Sequence, residues 1–171
     1  TPDEQHRAEL LFALGEAQTR AGDTEAAQAS FALAAELARR LDAPGLLGRI
    51  AYASGRLGFP GTRQTELVAL LEEAIERLGD TDDTLSAFLL AREAYLVTLY
   101  AHDRSRRLVD AAVEAARRSG DPGALAYTLY NFSYYERDRE KHLALLQDVR
   151  RYAAEAGDLE LILNSSFALF S

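Results

Sequence analysis

The sequence repeats an amphipathic helix pattern about every 40 residues. The pattern is clearest between residues 27 and 41, where apolar residues recur at intervals of three and four, as they do along the buried face of an α-helix. Four aspartates that each follow such a helix lie 38, 41 and 37 residues apart: Asp42, Asp80, Asp121 and Asp158. Repeats of this length indicate stacked helix pairs, because neither helix of a pair can bury its apolar face alone.

Aspartates and prolines indicate where the helices begin. Asp121 precedes Pro122, a proline that suits the first helical position, and Thr1 and Pro2 repeat this arrangement at the start of the sequence. Other aspartates that could accept the free amide groups of a new helix are Asp23, Asp103, Asp138 and Asp158. No stretch alternates apolar and polar residues, so no strands are expected. We predict nine helices, at 3–21, 23–41, 44–57, 63–78, 82–101, 103–119, 122–136, 138–156 and 158–170.

The first repeat carries the residues of a known motif. Its residues are Leu11, Leu14 and Gly15, then Gly22 and Asp23, then Ala27, Phe31 and Ala34. This arrangement resembles the tetratricopeptide repeat, and the resemblance implies a right-handed superhelical solenoid of antiparallel helix pairs. Gly15 and Ala27 would let the two helices of the pair approach, and Phe31 would fill the gap beyond them.

The resemblance extends more loosely over nearly the whole chain. The second repeat keeps Gly55, Leu67, Leu71 and Ala74 at the matching offsets, but it replaces the tight turn by residues 58–61. We therefore predict a single all-α domain over residues 1–171, with repeats at about 3–42, 44–80, 82–120 and 122–157 and a half repeat at 158–171.

Three stretches resemble the helical-repeat region of large bacterial transcription regulators. These stretches are residues 57–61, 67–74 and 116–122. The regulators in question, such as MalT-like activators, join a signal-transduction ATPase to a C-terminal LuxR-type helix-turn-helix. The resemblance implies that this chain is a fragment of such a cytoplasmic protein and serves as its sensor or interaction arm. A stand-alone scaffold that binds a peptide or protein partner in its groove is the alternative.

Charge and composition exclude several other functions. The formal net charge is −8, whereas binding to DNA or anionic lipid requires a basic surface. No apolar run is long enough to cross a bilayer, and no cysteine is present to ligate a metal or act as a nucleophile. The motifs of metalloproteases, P-loop ATPases, α/β-hydrolases and dinucleotide binders are missing. We expect a binding module that is not an enzyme and that has no cofactor and no metal.

One basic group could be read as a nucleic-acid patch. It lies on the predicted sixth helix and comprises Arg104, Arg106, Arg107, Arg117 and Arg118. Asp110 and Glu114 lie between these arginines, so we interpret the group as a solvated helix face whose charges are matched by nearby carboxylates.

The repeat register predicts which residues line the concave groove. The inward positions on the first helices of the pairs are Arg49, Tyr52, Arg56, Arg92, Tyr127, Asn131 and Tyr134. This set is aromatic and cationic, and guanidinium groups recognise carboxylates and phosphates. We therefore predict that the groove binds a protein or peptide partner or a small anionic effector. The alternative is that Tyr127 and Tyr134 pack between repeats while the arginines pair with Glu93 or other carboxylates.

The last predicted helix has no following helix to cover it. Its apolar residues are Leu161, Ile162, Phe167 and Phe170. Terminal repeats normally carry a polar outer face. We therefore expect either that further helices of a longer array cover this helix, or that it associates with a second copy of the chain or with another partner.

Overall fold

The computed structural model describes residues 2–58 and 64–169, with side chains as far as residue 166. Within these ranges the backbone forms nine α-helices and no strand, which confirms the all-α prediction. The helices are α1 (Pro2–Arg20), α2 (Thr24–Arg40), α3 (Pro44–Gly55), α4 (Thr65–Leu78), α5 (Asp83–Val97), α6 (His102–Ser119), α7 (Pro122–Ser133), α8 (Arg139–Ala156) and α9 (Leu159–Leu169). None of the described helices combines the length and apolarity needed to cross a membrane.

Aspartate side chains cap the N-termini of several helices. Within the described residues, those that accept a hydrogen bond from an amide of the first turn are Asp23, Asp82, Asp121, Asp138 and Asp158. The shortest of these bonds runs from the amide of Ala124 to Asp121 over 2.7 Å. Such a cap contributes about 1 kcal/mol to stability, because it satisfies an amide that has no partner within the helix.

The predicted cap at Asp103 is wrong. Helix α5 was expected to reach residue 101, but it ends at Val97, where the amides of Tyr100 and Ala101 both donate to the Val97 carbonyl. This turn lets α6 begin at His102, so Asp103 lies inside its first turn. At this position its carboxylate interacts favourably with the positive end of the helix dipole, but it does not cap the helix.

The helices form two rows. Consecutive helices pack as hairpin pairs, and each odd-numbered helix also packs against the next odd-numbered one. In the described part of the chain, no Cα atoms of two even-numbered helices approach within 8 Å. The odd-numbered helices α1, α3, α5, α7 and α9 therefore form a continuous row, which we call the inner row, and the even-numbered helices form an outer row. The right-handed superhelical path stays a prediction.

In the first helix pair, formed by α1 and α2, the Phe31 ring packs directly against Gly15. Phe31 is only 2% exposed, and its ring lies 6.1 Å from that of Phe12. A Cβ atom added to Gly15 would lie 2.6 Å from Cε1 of Phe31, which is closer than two carbon atoms can pack. This geometry agrees with the predicted roles of Gly15 and Phe31 in the repeat motif.

The C-terminal helix is more buried than the sequence indicated. Leu161 is 7% exposed and packs against Ala126 and Ala153 of the two preceding helices, so it is covered without a following helix. Helix α9 turns this residue toward α7 and α8, and the exposed leucines are instead Leu159 and Leu163. The other predicted features that fall on Thr1, on residues 59–61 and on the side chains of residues 167 and 170 lie outside the described residues.

Replacing Gly15 by alanine is expected to destabilise the protein by about 1–3 kcal/mol, because the new methyl group must displace the buried Phe31 ring. Gly45→Ala is the matched control, since a Cβ atom on this helical glycine meets no atom within 4 Å. The control is expected to stabilise by up to about 1 kcal/mol. Urea unfolding followed by circular dichroism measures both changes, and equal effects would contradict the close packing of α1 and α2.

Candidate functional site

Three aromatic rings meet on the inner row, one from each of three consecutive helices. The ring centroids of Tyr52 on α3 and Phe88 on α5 lie 5.3 Å apart, and those of Phe88 and Tyr127 on α7 lie 5.4 Å apart. Tyr52 and Tyr127 meet edge to face at 6.1 Å. These distances are typical of aromatic pairs, which attract one another beyond the burial of their surface. The rings therefore join α3, α5 and α7 into one aromatic wall.

Arg92 lies one helical turn beyond Phe88 on α5. Its Cζ atom is 5.2 Å from the ring centroid of Tyr95, 5.6 Å from that of Tyr127 and 5.9 Å from that of Tyr52. All three distances are within the range of cation–π attraction. We call Tyr52, Tyr95 and Tyr127 the tyrosine cage, and it holds the Arg92 guanidinium in a defined position.

No carboxylate in the described part of the chain balances the charge of Arg92. Among the described residues it forms no ion pair, and its Nε is buried without a hydrogen-bond partner. Other arginines are paired: Arg39 donates two hydrogen bonds of 2.7 and 2.9 Å to the same oxygen of Glu73, and Arg118 lies 2.6 Å from Asp83. Buried polar groups are usually satisfied, and an unsatisfied one costs about 1–3 kcal/mol. The buried, unbonded Nε therefore adds to the unbalanced charge of Arg92 within the described residues.

A second cation lies beside the cage. Arg56 follows the last residue of α3, is exposed and has no carboxylate partner in the described part of the chain. Burial raises the pKa of Tyr127, and the charges of Arg92 and Arg56 oppose that rise. Tyr127 therefore keeps its hydroxyl proton at neutral pH, and this hydroxyl is hydrogen-bonded to that of Tyr52. The positive charges of Arg92 and Arg56 near these neutral tyrosines are suited to an anionic group.

The structure brings together only part of the predicted groove. Tyr52, Arg92 and Tyr127 are in direct contact, and Arg56 is adjacent to them. Asn131 is 8% exposed, and its side-chain amide donates to the Tyr127 carbonyl of its own helix over 2.8 Å. Asn131 thus takes part in the hydrogen bonding of α7.

Two further residues predicted for the groove, Tyr134 and Arg49, lie away from the tyrosine cage. Tyr134 is 69% exposed, and its hydroxyl donates to that of Tyr130 over 2.9 Å. Arg49 lies over the Phe12 ring at 4.7 Å and pairs with Glu9 at 3.5 Å, where it lines a separate cleft between α1, α3 and α5. Neither residue contacts the Arg92 guanidinium.

Two residues of the site were missed by the sequence-based prediction. Phe88 and Tyr95 both lie on α5, which buries residues on nearly every side, so its hydrophobic periodicity does not indicate one inward face. The available signal was spacing. Phe88, Arg92 and Tyr95 are separated by four and three residues, which places them on one face of a helix.

The alternative is seen in part: Arg49 pairs with Glu9 and Tyr127 packs between repeats, but Glu93 pairs with no arginine of the predicted groove. Glu93 is 2% exposed and is bound by Arg104 of α6, which also bonds Glu72 of α4. Burial raises the pKa of Glu93, and the charge of Arg104 opposes the rise. This carboxylate therefore joins α5 to the outer row and leaves Arg92 unpaired.

Four of the five arginines in the basic group of α6 are paired with carboxylates. Arg106 lies 3.7 Å from Asp110, Arg117 lies 2.8 Å from Glu114, and Arg118 and Arg104 are paired as described above. These pairs support the interpretation of a solvated helix face.

Comparison with known proteins adds no relative to this description. No protein-family model matches the chain, and no curated protein matches it significantly. The fold and the site together define an all-α protein of stacked helix pairs with an unpaired, ring-bound arginine on its inner row.

Replacing Arg104 by alanine is expected to cost about 3 kcal/mol at pH 7, because it leaves the buried Glu93 carboxylate unpaired. Without Arg104 the pKa of Glu93 in the folded protein rises further above its ordinary value near 4.5. The variant therefore keeps most of its stability below that value and loses it as the pH rises through the raised pKa. Urea unfolding at pH 4 and pH 7 measures the change.

Arg117→Ala is the control, since this arginine belongs to an exposed pair with Glu114. We expect it to cost less than about 0.5 kcal/mol at both pH values. A loss in the Arg104 variant that does not change with pH would contradict the assignment of Glu93 as the buried partner.

Proposed function

We propose that this chain is a ligand- or protein-binding helical-repeat module whose inner row recognises an anionic group on a peptide or protein partner or on a small effector. One observation carries the proposal. The Arg92 guanidinium is held among three tyrosine rings and has no carboxylate partner in the described residues.

The tyrosine cage prepares Arg92 for binding. Ordering a long side chain normally costs about 0.5–1.5 kcal/mol on association, and the rings reduce this cost by holding the guanidinium before the ligand arrives. Arg56 adds a second positive charge near Tyr127. A carboxylate or a phosphate accepts hydrogen bonds from a guanidinium group, and a second positive charge nearby strengthens its attraction.

The charge of the whole chain limits the kind of ligand. With a net charge of −8, the protein repels extended polyanions such as nucleic acids at long range. Arg92 and Arg56, whose charges both act on Tyr127 and which have no carboxylate partner among the described residues, can still attract a single acidic group at short range. The proposed ligand therefore carries an isolated anionic group, and the domain itself is not proposed to bind nucleic acid.

The resemblance to bacterial transcription regulators supports a wider role. We propose that the module is the sensor or interaction arm of a multidomain regulator in the cytoplasm. Ligand binding would control such a protein only if the ligand binds two of its conformations with unequal affinity. A reading frame that encodes these helices alone would contradict this role.

A stand-alone scaffold is the second candidate. It is favoured by the tyrosine cage being complete within this chain, so that binding requires no further domain. If the isolated chain binds its partner as tightly as a longer parent protein does, the scaffold is the better description. A large gain in affinity from other domains would favour the regulator.

Selection of peptides from a random displayed library tests the anion site. Wild-type protein is expected to enrich peptides that contain Asp or Glu. Arg92→Met and Arg56→Gln are each expected to lower the affinity for the selected peptides about tenfold or more, because a charged hydrogen bond contributes about 1.5–3 kcal/mol. Methionine keeps an apolar stem against the rings. Calorimetric titration measures the affinities.

Arg107→Gln is the control for this experiment, because Arg107 is an exposed arginine of the outer row. It is expected to leave the affinities unchanged. Peptides selected without an acidic residue, or affinities that do not respond to Arg92→Met and Arg56→Gln, would contradict the proposed function.

A further inference from the structure

The cleft that Arg49 lines opens on the inner row next to the aromatic wall, which it shares through Phe88. It is a cleft of about 400 Å³ between α1, α3 and α5. Its apolar lining includes Leu46, Leu85 and Phe88, and at Gly45 there is no side chain to fill it. This volume lies at the lower end of the range for ligand pockets, and it accommodates a large apolar side chain.

The rim of the cleft carries more negative than positive charge. Glu9 and Asp82 both line it, and the cation among the lining residues is Arg49, which is paired with Glu9 at 3.5 Å and packed on Phe12. Asp82 is held in place because it caps α5, where it accepts from the amide of Leu85 over 2.9 Å. An acidic side chain is therefore disfavoured in the cleft, whereas its apolar lining favours an apolar one.

The cleft and the tyrosine cage form one continuous surface. Phe88 lines the cleft and also contacts both Tyr52 and Tyr127 of the aromatic wall. Along α5, Leu85 and Arg92 are separated by seven residues, or about 10 Å at the rise of an α-helix. A single ligand can therefore reach both places.

An extended peptide has suitable dimensions for this surface. In a β-strand, side chains two residues apart share a face and lie about 7 Å apart. In a polyproline II helix, side chains three residues apart share a face and lie about 9 Å apart. Either conformation brings an apolar side chain to the cleft while an acidic side chain is at Arg92.

We infer that the inner row binds an extended peptide whose apolar side chain enters the cleft and whose acidic side chain, two or three residues away, binds Arg92. The acidic half of this inference rests on the proposed function. The apolar half is new and depends on the cleft. The cleft therefore selects among acidic peptides, and the position of the apolar residue is what distinguishes a partner.

Gly45→Leu tests the cleft without disturbing the fold. A Cβ atom at this position meets no atom within 4 Å, so the added side chain can occupy the cleft. Peptides are selected from a random displayed library with wild-type protein, Gly45→Leu and Gly45→Ala, after thermal melting has established that each is folded. The small alanine is the matched control, because one methyl group leaves most of the cleft open.

Wild-type protein and Gly45→Ala are expected to enrich peptides with Leu, Ile or Phe two or three residues from Asp or Glu. Gly45→Leu is expected to keep the acidic preference and to lose the apolar one. In titrations of a selected peptide, Gly45→Leu should weaken binding tenfold or more, while Gly45→Ala should change it less than twofold.

The remaining outcomes separate the two proposals. Enrichment of acidic residues alone by the wild type would overturn the apolar subsite and leave the proposed function standing. An apolar preference that survives Gly45→Leu, or an apolar residue seven positions from the acid as in a helical ligand, would also overturn this inference. Failure to enrich acidic peptides at all would contradict the proposed function and this inference with it.

Discussion

The side-by-side packing of the odd-numbered helices is the interaction on which the candidate site depends. Helix α5 can approach α3 closely because a Cβ atom on Gly48 would lie 2.7 Å from Leu85, and one on Gly55 would lie 2.7 Å from Cγ of Arg92. The stem of Arg92 therefore rests directly on the backbone of α3. This contact is what brings the guanidinium among rings from three helices. A larger residue at position 55 would move the cation and the aromatic wall together.

The arginines of the outer row and those of the inner row have different roles. Outer-row arginines bond carboxylates across helices, as Arg39 does with Glu73 and Arg104 does with Glu72 and Glu93. The Arg39–Glu73 and Arg104–Glu72 pairs join even-numbered helices whose Cα atoms do not approach within 8 Å in the described part of the chain. On the inner row, Arg92 and Arg56 have no such partner among the described residues, and we propose that they attract a ligand. An acidic protein can thus keep a local site for anions while it repels polyanions as a whole.

The sequence predicted the helices well because their apolar spacing and their aspartate caps are local signals. It failed where a turn depends on backbone hydrogen bonds, as at Val97, which ends α5 early and displaces Asp103 from the cap. Of the site, the repeat register identified Tyr52, Arg92 and Tyr127. Tyr134, which was also predicted for the groove, is exposed and bonds Tyr130 of its own helix, so it is not part of the cage. Phe88 and Tyr95 could not be assigned from periodicity, since α5 is buried on nearly all sides.

The most direct test of the central claim is a double-mutant cycle between Arg92 and the acidic residue of a selected peptide. Calorimetry would measure binding of the peptide and of its Glu→Gln counterpart to wild-type protein and to Arg92→Met. If the acidic group binds Arg92, the two changes are coupled by about 1–3 kcal/mol, because each removes the same charged hydrogen bond. Additive effects, with a coupling energy near zero, would contradict the assignment of Arg92 as the anion-binding residue.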